Sequence, residues 1–168
     1  ASEERNKILD WLQSLTPINF AAQQSDFINR RQAGTGQWLL ESPLFCQWVE
    51  NQKQTLFCPG IPGAGKTMLT AIVVDELAAR FHDKQDVGLA VVYCNFRQHD
   101  QQTANHLVSN ILKQLAESQS DLPTSLRDLY KRHIGRHTQP SIEEISTTLS
   151  RVAEKYTTLF VAIDALDE

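Results

Sequence analysis

The chain has 168 residues, 16 Lys and Arg against 20 Asp and Glu, a formal net charge of −4 and 41% hydrophobic residues. That length accommodates one domain with a sizeable core, and the composition excludes a largely disordered chain. The acidic balance argues against a general electrostatic nucleic-acid binder, and no apolar run approaches the ~18–20 residues of a membrane span. The sequence starts at Ala1 rather than Met and finishes on Asp164-Ala165-Leu166-Asp167-Glu168 directly after an apolar run, so it reads as cut at both ends. Cys46, Cys58 and Cys94 are an odd count with no CxxC pair. They fit neither a disulfide framework nor a thiolate zinc site, and read as reduced, half-buried thiols of a cytoplasmic protein.

From the start, Ile8, Leu9, Leu12 and Leu15 recur at helical spacing over Glu3 to Leu15 and stop before Pro17. Asp26 to Gln32 carries too little pattern to assign. Gly34-Thr35-Gly36 is a break before Trp38-Leu39-Leu40. Ser42 with Pro43 reads as an N-cap followed by proline at the first helical position, and Leu44, Phe45, Trp48 and Val49 give that helix an apolar face. Thr55-Leu56-Phe57-Cys58 reads as a strand buried on both faces. A helix follows from Thr67 to Phe81, and Val87 to Tyr93 is a second apolar strand. Thr103 to Glu117 carries the clearest helical stripe, in Ala104, Leu107, Val108, Ile111 and Leu115.

Leu126, Leu129 and Tyr130 mark a shorter helix fraying towards Gly135. Ser141 and Glu144 have capping-box spacing and open a helix to about Lys155. Thr158 to Ile163 is a third buried strand. Apolar strands alternating with helices predict an α/β fold, a parallel sheet covered on both faces. The basic clusters Arg30-Arg31 and Lys131-Arg132-His133 with Arg136-His137 read as solvated faces, with no specific nucleic-acid partner.

Residues 60–67, GIPGAGKT, satisfy G-x-x-x-x-G-K-[ST] between an apolar stretch and an amphipathic helix, the context a phosphate loop requires. Glycines let successive N–H groups point inward, and the helix start adds partial positive charge. The nucleotide-binding set is therefore Gly60, Ile61, Pro62, Gly63, Ala64, Gly65, Lys66, Thr67 and Met68. Lys66 bridges β- and γ-phosphates, and the Thr67 hydroxyl holds Mg²⁺. Asp164 lies 164 − 66 = 98 residues after Lys66, at the carboxyl end of an apolar strand, where it can reach the same Mg²⁺ directly or through water. Ala165 leaves room for metal and phosphates, and Asp167 and Glu168 can orient or polarise an attacking water.

GIPGAGKT together with LFVAIDALDE resembles the NACHT group of STAND-type P-loop NTPases. With RQAGTGQWLL, AVVYCNFR and NILKQLA, the chain from about Ile8 to Glu168 is similar to the nephrocystin-type N-terminal NACHT segments of fungal multidomain receptors, often fused to ankyrin or WD repeats. The resemblance implies a three-layer αβα P-loop fold with a parallel sheet, here a partial core of about three strands. Residues 1–50 would be a helical flank, and 51–168 the N-terminal half of the NACHT core, truncated after the second (Walker B) motif. It implies an ATP/ADP switch (GTP as the alternative) with Mg²⁺, hydrolysing slowly and coupled to oligomerisation. Lys66, Asp167 and Glu168 carry over as catalytic residues and Thr67 and Asp164 as metal ligands, with Thr35 to Trp38 as candidates for purine contact. The implied partners are nucleotide, other copies of the full-length protein, and N-terminal effector and C-terminal repeat domains outside this chain. A further strand is implied between the phosphate-loop strand and the acidic one, so these residues alone would leave a gap in the sheet and bind nucleotide weakly. The competing readings are a small-molecule kinase, whose arginine-rich lid the sequence lacks, and a scaffold with a non-hydrolysing site.

Overall fold

A computed structural model describes residues 2–59, 65–94 and 103–164. Among these, four helices come first: α1 (Ser2–Ser14), α2 (Phe20–Asn29), α3 (Gln37–Leu40) and α4 (Pro43–Glu50). After α5 (Lys66–Arg80) the chain enters β1 (Val87–Tyr93), then α6 (Ala104–Glu117), α7 (Thr124–Ile134), α8 (Ile142–Ala153) and β2 (Thr158–Asp164). The strands pair in parallel, Val87 opposite Thr158 and Tyr93 opposite Asp164. Parallel neighbours cannot be joined by a tight turn, and here α6, α7 and α8 make the crossover. The result is a mixed helix and strand fold around a small two-stranded parallel sheet. No helix among the described residues is long and apolar enough to cross a membrane.

The two sheet faces meet different helices. Ala90 packs into a cluster with Ile8 and Leu12 of α1, Leu112 and Leu115 of α6, Leu126 of α7 and Ile145 of α8. Phe160 of β2 packs instead with Leu39 and Leu40 of α3, Phe45 of α4 and Ile72 and Leu77 of α5. A third cluster joins Phe20 to Ala71, Val74, Val92 and Tyr93. Local signals at the helix starts act as their spacing predicts. The side chains of Ser42, Thr103 and Ser141 each accept a backbone N–H in the first turn, and Glu144 completes the capping box with Ser141.

Polar side chains also finish backbone pairing. The Gln114 amide accepts from Val91 N at 2.9 Å and donates to Val91 O at 2.8 Å, so a side chain of α6 stands where another strand would bond to β1. Asn110 donates to Ile18 O at 2.8 Å and accepts from Gln114 Nε2 at 2.7 Å. Both are charge-neutral groups satisfied in the interior, which removes the penalty of burying them.

Four expectations need correction. The stretch 55–58 forms no strand, and Phe57 is 73% exposed. A run buried on both faces needs partners for its N–H and C=O groups, and no described strand lies beside it. The sheet of described residues therefore has two strands rather than about three. β2 is not buried throughout either, because Val161 and Ile163 are exposed and no described strand pairs with the side of β2 away from β1. Cys58 is exposed, whereas Cys46 and Cys94 are half-buried as expected. The fourth is His133, read as part of a solvated basic face.

His133 is buried. Its Nε2–H donates to Glu144 Oε2 at 2.8 Å, while Nδ1 lies 2.7 Å from the Thr138 hydroxyl. Glu144 also accepts from Arg132 at 2.9 Å and from the Ser141 backbone. The His133 bond, followed by those from Ser141 and Arg132, pulls the Glu144 carboxyl from its ordinary 4.5 down to about 2. A lowered folded-state pKa means this carboxylate stabilises fully above about pH 4.5 and loses that contribution as pH falls towards about 2. Urea unfolding between pH 5 and pH 2.5 is expected to show a shallower loss of stability for Glu144→Gln than for wild type. Identical slopes would remove Glu144 from the acid response.

Candidate functional site

The helix α5 begins on Gly65 in the left-handed conformation, φ 87°, which a residue with a Cβ adopts only at a cost. Gly65 offers no side-chain cap, and the first turn of α5 carries the positive end of the helix dipole. Lys66, Thr67 and Met68 form that first turn. Gly60, Ile61, Pro62, Gly63 and Ala64 lie outside the described residues, as do Ala165, Asp167 and Glu168.

β2 delivers Asp164 to the same place. The Thr67 hydroxyl donates to Asp164 Oδ2 at 2.7 Å, and Thr70 Oγ1 lies 3.4 Å from Oδ1. The Asp164 backbone carbonyl accepts from Cys94 N at 3.1 Å, which fixes the strand end against β1. Asp164 is 5% exposed, and among the described residues no basic side chain forms an ion pair with it. Among the described residues its side chain meets only hydroxyl donors, which leaves a place for a cation beside it. Its surroundings register the charge: burial, and then Asp164, push the Tyr93 phenol and the Cys94 thiol upwards in pKa.

These donors suit a hard divalent cation. Both are oxygens, and two cis oxygens around an octahedral Mg²⁺ at ~2.1 Å stand about 3 Å apart, close to the observed 2.7 Å. No group of three or more His, Cys, Asp or Glu that could hold a metal occurs among the described residues. A cation here would draw on Thr67 and Asp164 and take its remaining ligands from water or phosphate, the habit of Mg²⁺ rather than of zinc.

A groove of about 490 Å³ opens beside these residues, between the 55–58 segment and β2. Trp48, Leu56, Phe57, Val161 and Ile163 make it apolar, with Lys66 and Asp164 at one end. Upstream, Gly36 has φ 78°, and a Cβ there would come within 2.7 Å of Ile72 Cδ1. Only glycine lets the 34–37 turn lie this close to α5. Trp38, next along, is 66% exposed, while Leu39 and Leu40 are buried.

Sequence spacing brought Lys66, Thr67 and Asp164 to one location, and the structure has Thr67 touching Asp164. It did not single out Thr70. The available signal was position: Thr70 is three residues after Thr67 and shares its helix face. Cys94, which the sequence marks as a half-buried thiol, sits within the field of Asp164. Residues 34–168 match a family model described as Nephrocystin 3, N-terminal. No significant match was found among curated proteins or solved structures.

Proposed function

The chain belongs to the nephrocystin 3 N-terminal family, and from that premise we propose that it is the nucleotide-binding switch segment of a NACHT-type signalling receptor. In this reading residues 1–50 flank, and residues 51–168 begin, a P-loop NTPase core. Effector and repeat domains stand on either side in the full-length protein, as in the fungal receptors that the sequence resembles. The observation that carries the proposal is the 2.7 Å contact between Thr67 and Asp164 across 97 residues. It couples the start of a glycine-led helix to a buried acid at a strand end, the pairing that magnesium–nucleotide chemistry uses.

Lys66 binds the β- and γ-phosphates, and the first-turn amides of α5 orient them. Thr67 and Asp164 hold Mg²⁺, which when bound neutralises phosphate charge. Asp167 and Glu168 position water for slow hydrolysis, so that bound ATP reports one state and ADP the other.

Titration of the full-length protein with fluorescently labelled ADP and ATP tests this reading. Saturable binding that tightens on adding Mg²⁺ is expected. No saturation at millimolar nucleotide, with or without the metal, would sink it.

A further inference from the structure

We propose that Thr70 is a positioning residue for the cation-binding carboxylate, an inference that rests on the magnesium–nucleotide reading above. Two hydroxyls one turn apart on α5 meet different oxygens of a single buried carboxylate: Thr67 at Oδ2, 2.7 Å, and Thr70 at Oδ1, 3.4 Å. Thr67 alone leaves the carboxyl plane free to turn about the Cβ–Cγ bond. A second contact on the other oxygen, at 3.4 Å, restricts that rotation.

Thr70 has one hydroxyl hydrogen and two acceptors for it. Besides Asp164, the Lys66 carbonyl lies 3.1 Å away, one helical turn back. Mid-helix threonines commonly satisfy themselves on that carbonyl. Here the same rotamer also faces the acid, because β2 ends directly against this face of α5. The hydroxyl can thus donate to Asp164 when no cation is bound, and fall back on Lys66 O once a cation takes up the negative charge. Neither state leaves the hydroxyl unsatisfied. The metal site is held in shape beforehand, and groups that orient metal ligands in this way alter affinity by roughly 10–100-fold when removed.

The experiment compares Thr70→Val, which keeps the shape and loses the hydroxyl, with Thr70→Ser, which keeps the hydroxyl. Labelled nucleotide binding to the full-length protein is measured first in chelator and then across a Mg²⁺ titration. For Thr70→Val, metal-free nucleotide affinity is expected to stay within about twofold of wild type, while the Mg²⁺ concentration for half-maximal tightening rises about tenfold. Thr70→Ser should restore the wild-type midpoint. A Thr70→Val protein with an unchanged Mg²⁺ midpoint overturns the role of Thr70 alone. So does one whose metal-free and metal-bound affinities fall equally, since that marks general loss of structure. Failure of the wild type to bind nucleotide overturns the underlying reading, and this one with it.

Discussion

Lys66→Ala and Asp164→Ala are each expected to weaken magnesium–nucleotide binding by at least about 100-fold, but in different ways. Lys66 supplies charge-assisted bonds to phosphate, and about 3 kcal/mol corresponds to that factor. Its loss should show with and without metal. Asp164 acts on the cation, so Asp164→Ala should leave metal-free binding nearly intact and abolish the tightening that Mg²⁺ brings. Calorimetry in chelator and in millimolar Mg²⁺ separates the two. Asp164→Asn adds a sharper contrast, since it preserves the shape and a hydroxyl acceptor while removing a buried charge. In the absence of metal it should not lower the unfolding midpoint, because the wild-type carboxylate is 5% exposed and no described basic side chain pairs with it. An Asp164→Asn protein that keeps full Mg²⁺ dependence would remove Asp164 from the metal site.

Leu112→Ala is expected to cost about 3 kcal/mol of stability, a large share of the ~5–15 kcal/mol available to a domain of this kind. Leu112 is fully buried in the cluster that ties α1, α6, α7 and α8 to Ala90 of β1. Truncating it removes contacts and leaves a hole which several helices would have to move to fill. Leu44 is the matched control: it is 68% exposed, and Leu44→Ala should change stability by no more than about 0.5 kcal/mol. Urea unfolding of the two variants provides the measurement. A Leu112→Ala cost below about 1 kcal/mol would mean these helices do not share a rigid core.

The parts of the fold legible in the sequence rest on short-range chemistry. Ser42 with Pro43, Thr103, and Ser141 with Glu144 announce helix starts because the capping partner is three residues away. The helix α2 has a local cap too, Asn19 accepting from Ala22 N, but its apolar pattern is weak and its packing support is distant: Gln24 donates to Ala71 O at 2.8 Å and accepts from the Tyr93 hydroxyl, and Phe27 packs on the Tyr93 ring. Nothing within residues 20–29 announces those partners. The 55–58 run shows the opposite failure. Its apolar pattern matches a buried strand, but pairing is decided by what lies alongside, which the pattern does not contain. His133 was misread for a related reason, since its neighbours Lys131 and Arg132 suggest a solvated surface while Glu144 sits across a turn. At the candidate site, residue types gave Lys66, Thr67 and Asp164, because phosphate and magnesium chemistry constrains them. Thr70 was hidden because a mid-helix threonine has no chemical signature until β2 arrives beside it.

The Gln114 amide on Val91 has a consequence for how copies of this chain can meet. A sheet open along both margins can add molecules without limit, each new strand exposing another margin, and such growth ends in fibres. Here the middle of β1 is occupied by a side chain, so a further strand can pair at Val91 only if both bonds to Gln114 are given up. One amide on α6 thereby closes this margin of the described sheet to added strands, whether from this chain or from another copy.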